Sequence, residues 1–181
     1  MRLDLYPQEK ILEGCKKNDR HFQEVLYRKY ASKMYGICMG YAGERPLAQD
    51  MLQEAFVKVF RHIGDYSGKG SLEGWIRRIV TNTAIDILRK KQRTDLFIEN
   101  EVAEQNPGPN KWNAPNHMET GDILKQVKRL PEGARIVFNL YAVEGYSHKE
   151  IAEKLHITAG TSKSQYSRAR MLLQQWVDKP I

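Results

Sequence analysis

Apolar residues recur every three to four positions over most of this chain, and no two-residue alternation of useful length interrupts them, so the pattern predicts helices and no sheet. Phe22, Leu26, Tyr30, Met34, Ile37, Cys38 and Tyr41 fall on one face of a long first helix. Gly43 to Pro46 break the period, and Pro46 suits a first helical turn because the amide it lacks would be unpaired there anyway. A second helix then turns Leu52, Phe56, Val59 and Ile63 inward and leaves Asp50, Gln53 and Glu54 on its opposite side. Beyond the Gly-rich loop GDYSGKGSLEG, a third helix is predicted over 75–93, with Ile76, Ile79, Val80, Ile87 and Leu88 as its inner stripe.

The period is lost over 94–117, where prolines and asparagines accumulate and Asp95, Glu99, Glu101 and Glu104 face only Lys111. Such a stretch reads as a flexible acidic linker. Apolar spacing resumes at Ile123, Val127 and Leu130, and a helix started by Pro131 runs through Val137, Leu140 and Tyr141 to about Gly145. The expected architecture is therefore all-α: two small helical domains, 10–93 and 118–181, joined by that linker.

Residues 147–171, SHKEIAEKLHITAGTSKSQYSRARM, hold the densest information. Ser147 and Glu150 stand at capping-box spacing, so hydroxyl and carboxylate satisfy two amides at a helix start. Ile151, Ala152 and Leu155 supply the buried face of that helix, His156 stands where a left-handed residue should end it, and Thr158 can cap a successor. This is a helix-turn-helix. Its second helix carries Thr161, Lys163, Ser164, Gln165, Arg168 and Arg170 with no carboxylate among them, and all are types that bond base edges or phosphates. It turns apolar at Met171, Leu172, Leu173 and Trp176, as expected of a helix whose first turns project and whose last turns anchor. An amphipathic hairpin with a solvated basic face would share the cations but not that division along its length.

Charge sharpens the picture. The chain has 181 residues and a formal net charge of +7, which favours an acidic partner, either nucleic acid or an anionic membrane. No segment reaches the apolar length of a membrane span, and the start MRLDLYPQEK has no apolar core of a secretory signal, so a cytoplasmic location is expected. Cys15 and Cys38 have no CxxC partner or neighbouring histidines; they read as small core residues, with no metal, disulfide or cofactor implied. The third helix adds Arg77, Arg78, Arg89, Lys90, Lys91 and Arg93 against Asp86. Cations near a helix C-terminus complement its dipole, which explains Arg89 to Arg93 without a ligand. Trp75, Asn82 and, in the preceding loop, Tyr66 are different, because aromatic and amide groups beside a basic helix suit unstacked bases, although Trp75 taken alone reads more readily as a core residue than as a base platform. From spacing alone the acidic set Asp50, Gln53 and Glu54 reads better as an ordinary solvated face; it gives a DNA binder no advantage, but serves a protein that also docks on a basic partner.

In order and spacing these segments resemble the sigma factors of bacterial RNA polymerase, and specifically the small two-domain extracytoplasmic-function group. The carrying strings are AQDMLQEAFVKVF, GSLEGWIRRIVTNTAIDILRKK and LPEGARIVFNLYAVEGYSHKEIAEKLHITAGTSKSQYSRAR. The first is similar to the polymerase-binding helix of the second conserved region, the next to its promoter-opening segment, and the last to the fourth region. The resemblance implies a non-enzymatic subunit that binds core RNA polymerase, directs it to promoter DNA and helps melt it. It implies that Asp50, Gln53 and Glu54 dock on the polymerase clamp helices. Tyr66 and Asn82 then match positions that capture a flipped base of the −10 element, Trp75 an aromatic near the point of strand separation, and Arg78, Arg89 and Lys90 belong to the same surface. Lys163, Ser164 and Arg168 match positions that read or grip the −35 element, with Thr161, Gln165 and Arg170 nearby. The linker would follow the RNA exit path, and an anti-sigma factor joins the expected partners. His156 and Ser162 depart from the pattern, which usually has Gly and an aliphatic residue there.

Two other classes fit parts of the chain. A regulator with a response-regulator-like output domain would bind a palindromic site as a dimer and footprint without polymerase. A nucleic-acid enzyme fits less well, since Ser147 and His148 are adjacent and not arranged as a triad, and neither a P-loop nor an HExxH string is present.

Overall fold

The computed structural model describes residues 6–91 and 120–178, with the backbone alone at 91, 120–124 and 177–178. Eight α-helices occur among these residues: α1 (Gln8–Lys16), α2 (Arg20–Ala42), α3 (Arg45–His62), α4 (Leu72–Lys91), α5 (Thr120–Arg129), α6 (Glu132–Phe138), α7 (His148–Leu155) and α8 (Ala159–Asp178). No strand is present among the described residues. The chain divides into two compact units, Met1–Ile87 and Leu88–Ile181, so the division falls within α4. The acidic stretch 94–117, together with Arg93, lies outside the described residues, as does the side chain of Ile123.

In the first unit, α1 is a helix that the apolar period did not mark, because only Ile11, Gly14 and Cys15 of its nine residues are buried. Gly14 permits its close approach to α2: a Cβ there would meet the Phe22 ring at 2.1 Å. Asp19 opens α2 by accepting a bond from the His21 amide at 2.8 Å, and Gly43, at φ 74°, closes it. Pro46 stands in the first turn of α3 as its spacing predicts. Leu26, Met34, Met51, Phe56, Val59, Ile76 and Val80 form the centre. Burying each such side chain is worth about 1.5–3 kcal/mol before entropy is subtracted.

The third predicted helix begins earlier than expected, at Leu72, because Ser71 caps it; its hydroxyl accepts from the Gly74 amide at 3.0 Å. Its inner stripe also shifts, with Ile79 and Ile87 half-buried and Thr81, Ala84 and Ile85 in the interior. Cys15 and Cys38 are both fully buried. Burial pushes the Cys38 thiol up to about 12, and burial with the nearby Asp19 charge pushes Cys15 up to about 11.

In the second unit, Pro131 precedes α6, and a π-helical turn over Asn139–Val143 follows it. The Asn139 side-chain amide donates to the Arg135 carbonyl at 2.9 Å, and the Glu144 amide reaches back to the Asn139 carbonyl at 2.9 Å, which sustains the wider turn. Gly145, at φ 80°, ends the segment. The capping box is complete: the Ser147 amide donates to Glu150 Oε2 at 2.8 Å and the Glu150 amide to Ser147 Oγ at 3.3 Å. His156 adopts the left-handed conformation, φ 54° and ψ 44°, and the Thr161 amide donates to Thr158 Oγ1 at 3.0 Å. Val127, Leu130, Val137, Leu140, Ile151 and Leu173 form this core. Met171 departs from its expected anchoring role: at 52% exposure it faces outward, and Leu173 at 1% does the anchoring.

Candidate functional site

The face of α8 is sorted by burial. Ser162, Gln165, Tyr166 and Ala169 point into the second unit, while Lys163 and Ser164 are exposed and Arg168 is half-exposed. Ser164, Arg168 and Met171 lie three and four residues apart, so they share one outward stripe. Of the remaining residues singled out from sequence, Thr161 has its hydroxyl 2.9 Å from that of Thr158, at the helix start. Gln165 is 5% exposed and faces the core. Arg170 is half-buried, and its Nε is buried without a hydrogen-bond partner. The outward group is thus Lys163, Ser164 and Arg168, with no carboxylate between Gly160 and Met171.

What holds α8 against α7 includes a contact the sequence pattern does not disclose. His148 Nδ1 lies 2.9 Å from Ser162 Oγ, and Ser162 is 0% exposed. The imidazole stacks on Tyr141 at 4.3 Å and 13°, and Tyr141 in turn lies 4.5 Å from the Tyr166 ring. Burial, with the Lys163 charge second, lowers the His148 pKa, so the ring is neutral at neutral pH. The contact between α7 and α8 is here made by an imidazole and a buried hydroxyl. Their only sequence signal is Ser162 at an otherwise apolar position.

On α3, Asp50 and Gln53 are exposed and Glu54 is half-exposed, so the acidic set lies together on the outer face. Val57, three residues beyond Glu54, is 56% exposed and adds an apolar member that the charge pattern alone passed over. Lys58 lies between two carboxylates, 3.4 Å from Glu54 and 3.7 Å from Asp86 of α4.

The loop before α4 is folded inward. Tyr66 is 7% exposed, its hydroxyl donates to the Gly70 carbonyl at 2.8 Å, and its ring lies 5.6 Å from that of Trp75. Gly68 and Gly70, both at φ 79°, permit this tight return of the chain. Trp75 and Asn82 are half-buried, whereas Arg78, Arg89 and Lys90 are exposed. Tyr66 and Trp75 therefore meet each other, and the three cations stand exposed along α4.

Among the described residues, no helix is long and apolar enough to cross a membrane, and no group of acidic, histidine or cysteine side chains is arranged to hold a metal ion.

Comparison with known proteins matches residues 26–94 to the Sigma-70 region 2 family and residues 120–173 to the Sigma-70, region 4 family. The chain is 30% identical over 160 residues to the ECF RNA polymerase sigma factor SigE of Mycolicibacterium smegmatis, covering 86% of this chain and 62% of that one. It therefore spans less than two thirds of that relative. It is 28% identical to the RNA polymerase sigma-H factor of Pseudomonas aeruginosa, with 90% and 89% of the two chains covered. The ECF RNA polymerase sigma-E factor of Escherichia coli K12 is also 28% identical, with 94% of each covered. Among solved structures, RpoE of Bartonella quintana in complex with the anti-sigma factor NepR has a TM-score of 0.49 at 20% identity, over 87% of this chain and 98% of that one.

Proposed function

Because this chain belongs to the sigma-70 family, in its extracytoplasmic-function group, we propose that it binds core RNA polymerase in the cytoplasm, directs it to promoters and assists melting. It performs no bond chemistry of its own. The observation that carries this reading is the coexistence, in one chain, of an outward basic stripe on the second helix of a helix-turn-helix and an outward acidic stripe on α3. A simple DNA binder has use for the first and none for the second.

In this reading Lys163, Ser164 and Arg168 contact the −35 element, Lys and Arg giving salt-dependent affinity and base-edge bonds giving sequence choice. Thr161 supports the helix start, and Gln165 and Arg170 act from within the helix packing. Asp50, Gln53 and Glu54, with Val57 beside them, dock on a basic polymerase surface. Tyr66, Trp75 and Asn82 hold an extruded base of the −10 element, while Arg78, Arg89 and Lys90 hold the backbone. Since Tyr66 is buried and bonded to Gly70, base capture requires the loop to open. Binding a flipped base offsets an unpairing cost of a few kcal/mol. Two domains, 10–93 and 118–181, joined by a linker at 94–117, can engage two promoter elements at once when polymerase fixes their separation.

Promoter-specific run-off transcription with core polymerase tests this. The expected result is initiation from defined sites only when the protein is added. Changing Asp50 and Glu54 to Lys should sharply weaken binding to core polymerase while leaving helical content intact, because the altered side chains lie at the surface and would repel a basic partner. A double variant that binds core polymerase like the parent would reduce the α3 stripe to a solvated surface. A footprint on a palindromic site without polymerase would instead favour the dimeric regulator.

A further inference from the structure

We infer that His148 is a positioning residue for the recognition helix: through its bond to the buried Ser162 hydroxyl it fixes the rotation of α8 about its own axis, and with it the directions of Lys163, Ser164 and Arg168. The inference rests on the reading of α8 as a DNA-reading helix.

Three elements immobilise the ring. His148 stands in the first turn of α7, which the Ser147–Glu150 box anchors. Tyr141, from the π-helical turn after α6, covers one ring face. Tyr166 of α8 lies 5.9 Å away on another side and stacks on Phe138 of α6 at 6.1 Å and 20°. The Nδ1 atom is thus a fixed point in the second unit, and Ser162 is tied to it at 2.9 Å.

The chemistry of that tie matters. An aliphatic side chain at residue 162 would pack against α7 through contacts that are non-directional and tolerate a range of helix rotations. A hydroxyl–imidazole bond weakens steeply as its distance and angle depart from ideal. A fully buried hydroxyl that loses its partner has no water to replace it, so rotation away from His148 is opposed in both directions. The consequence at the surface is geometric. With a side-chain envelope of radius about 5–6 Å, a rotation of about 20° carries a side-chain tip by about 2 Å, enough to break a base-edge hydrogen bond. Lys163 is the next residue after Ser162 and Ser164 the one after that, so their directions follow directly from where Ser162 is held.

The test uses holoenzyme assembled from the full chain and core polymerase, with a duplex promoter found by run-off transcription and a panel of the same promoter carrying single −35 substitutions. The readout is the ratio of affinities for the parent and substituted promoters at fixed salt, measured beside non-specific duplex binding and thermal melting of the free protein. Ser162→Ala and His148→Phe should each lower that ratio by about three- to tenfold, the range set by one neutral hydrogen bond. The two together should lower it no further than either alone, since both remove the same bond. His148→Phe keeps an aromatic ring against Tyr141. His148→Asn, which loses that ring but keeps a polar group near the Nδ1 position, should recover much of the ratio. Non-specific binding should stay at the parent level throughout. The inference is overturned if the ratio is unchanged in Ser162→Ala and His148→Phe, or if it falls only in step with non-specific binding and melting temperature. A parent holoenzyme that selects no promoter overturns the underlying reading and this inference with it. A selective parent whose variants keep its ratio overturns the inference alone.

Discussion

The two units prepare their candidate DNA contacts in opposite ways. On α8, Lys163 and Ser164 already stand in solvent on a capped helix, so duplex DNA can meet them without rearrangement of the backbone. In the loop before α4, Tyr66 is enclosed, bonded to Gly70 and set against Trp75, so the same unit that carries the outward α3 stripe keeps this aromatic contact inside. The difference matches the two tasks in the proposed function. Reading a duplex needs a rigid surface, since every rotamer ordered beforehand is entropy not lost on binding. Holding an extruded base at Tyr66 would first require the bond to Gly70 to open, a step that the outward side chains of α8 do not need.

The largest expected contrast comes from Arg168→Ala. On the exposed stripe of α8 it should weaken −35 promoter binding by about 1–3 kcal/mol if it makes a bidentate base contact, and relax preference at one base pair. Fluorescence anisotropy with holoenzyme on parent and substituted promoters measures this. Unchanged affinity and preference would remove Arg168 from the stripe's function.

Tyr66→Phe probes the other side of the comparison with a smaller effect. Losing the bond to Gly70 should cost the first unit about 0.5–1.5 kcal/mol and speed amide exchange in the loop. The aromatic ring remains, so permanganate reactivity at the −10 element should appear at least as fast as with the parent. Tyr66→Ala should delay it on duplex DNA while sparing a template already mismatched there. Equal delay on both templates would show that the closed loop is structural and takes no part in capture.

The smallest effect is a pH dependence confined to the second unit. The His148 pKa is lowered in the folded state by burial and then by Lys163, so folding favours the neutral ring. The unfolded state then binds more protons, and stability contributed by His148 is complete above its ordinary value of about 6.5 and declines as pH falls toward the lower folded value. Thermal melting from pH 7.5 downward should show this decline in the parent and a flatter profile in His148→Phe. Identical profiles would remove His148 as its source. Glu150, held below the ordinary carboxylate range by its bonds to Ser147, adds its own loss of stability only at more acidic pH.

Much of this was legible in the sequence because it depends on local rules. The capping box at Ser147, the left-handed His156, the Thr158 cap and the Pro46 start are each set by residues within one turn of each other. The outward placement of Asp50 and Gln53 followed from helical period. What the pattern did not disclose depends on distant partners. Helix α1 is recognisable only through its packing, since its inward face is three residues and its crossing relies on Gly14 meeting Phe22. The enclosure of Tyr66 arises from a bond across the glycine turn, and that of Gln165 from the neighbouring helices of its unit. His148 and Ser162 are fourteen residues apart, and although Ser162 stands at an otherwise apolar position, nothing near it names His148 as its partner.

The two buried thiols carry a further consequence, for oxidative stress. With Cys15 at about 11 and Cys38 at about 12, the thiolate fraction at neutral pH is on the order of one in ten thousand or less, and it is the thiolate that peroxides and disulfide reagents attack. Neither sulfur is at the surface to meet an oxidant. Neither cysteine therefore offers a reactive thiolate at the surface of the first unit, and oxidation of either sulfur requires the unit to open first.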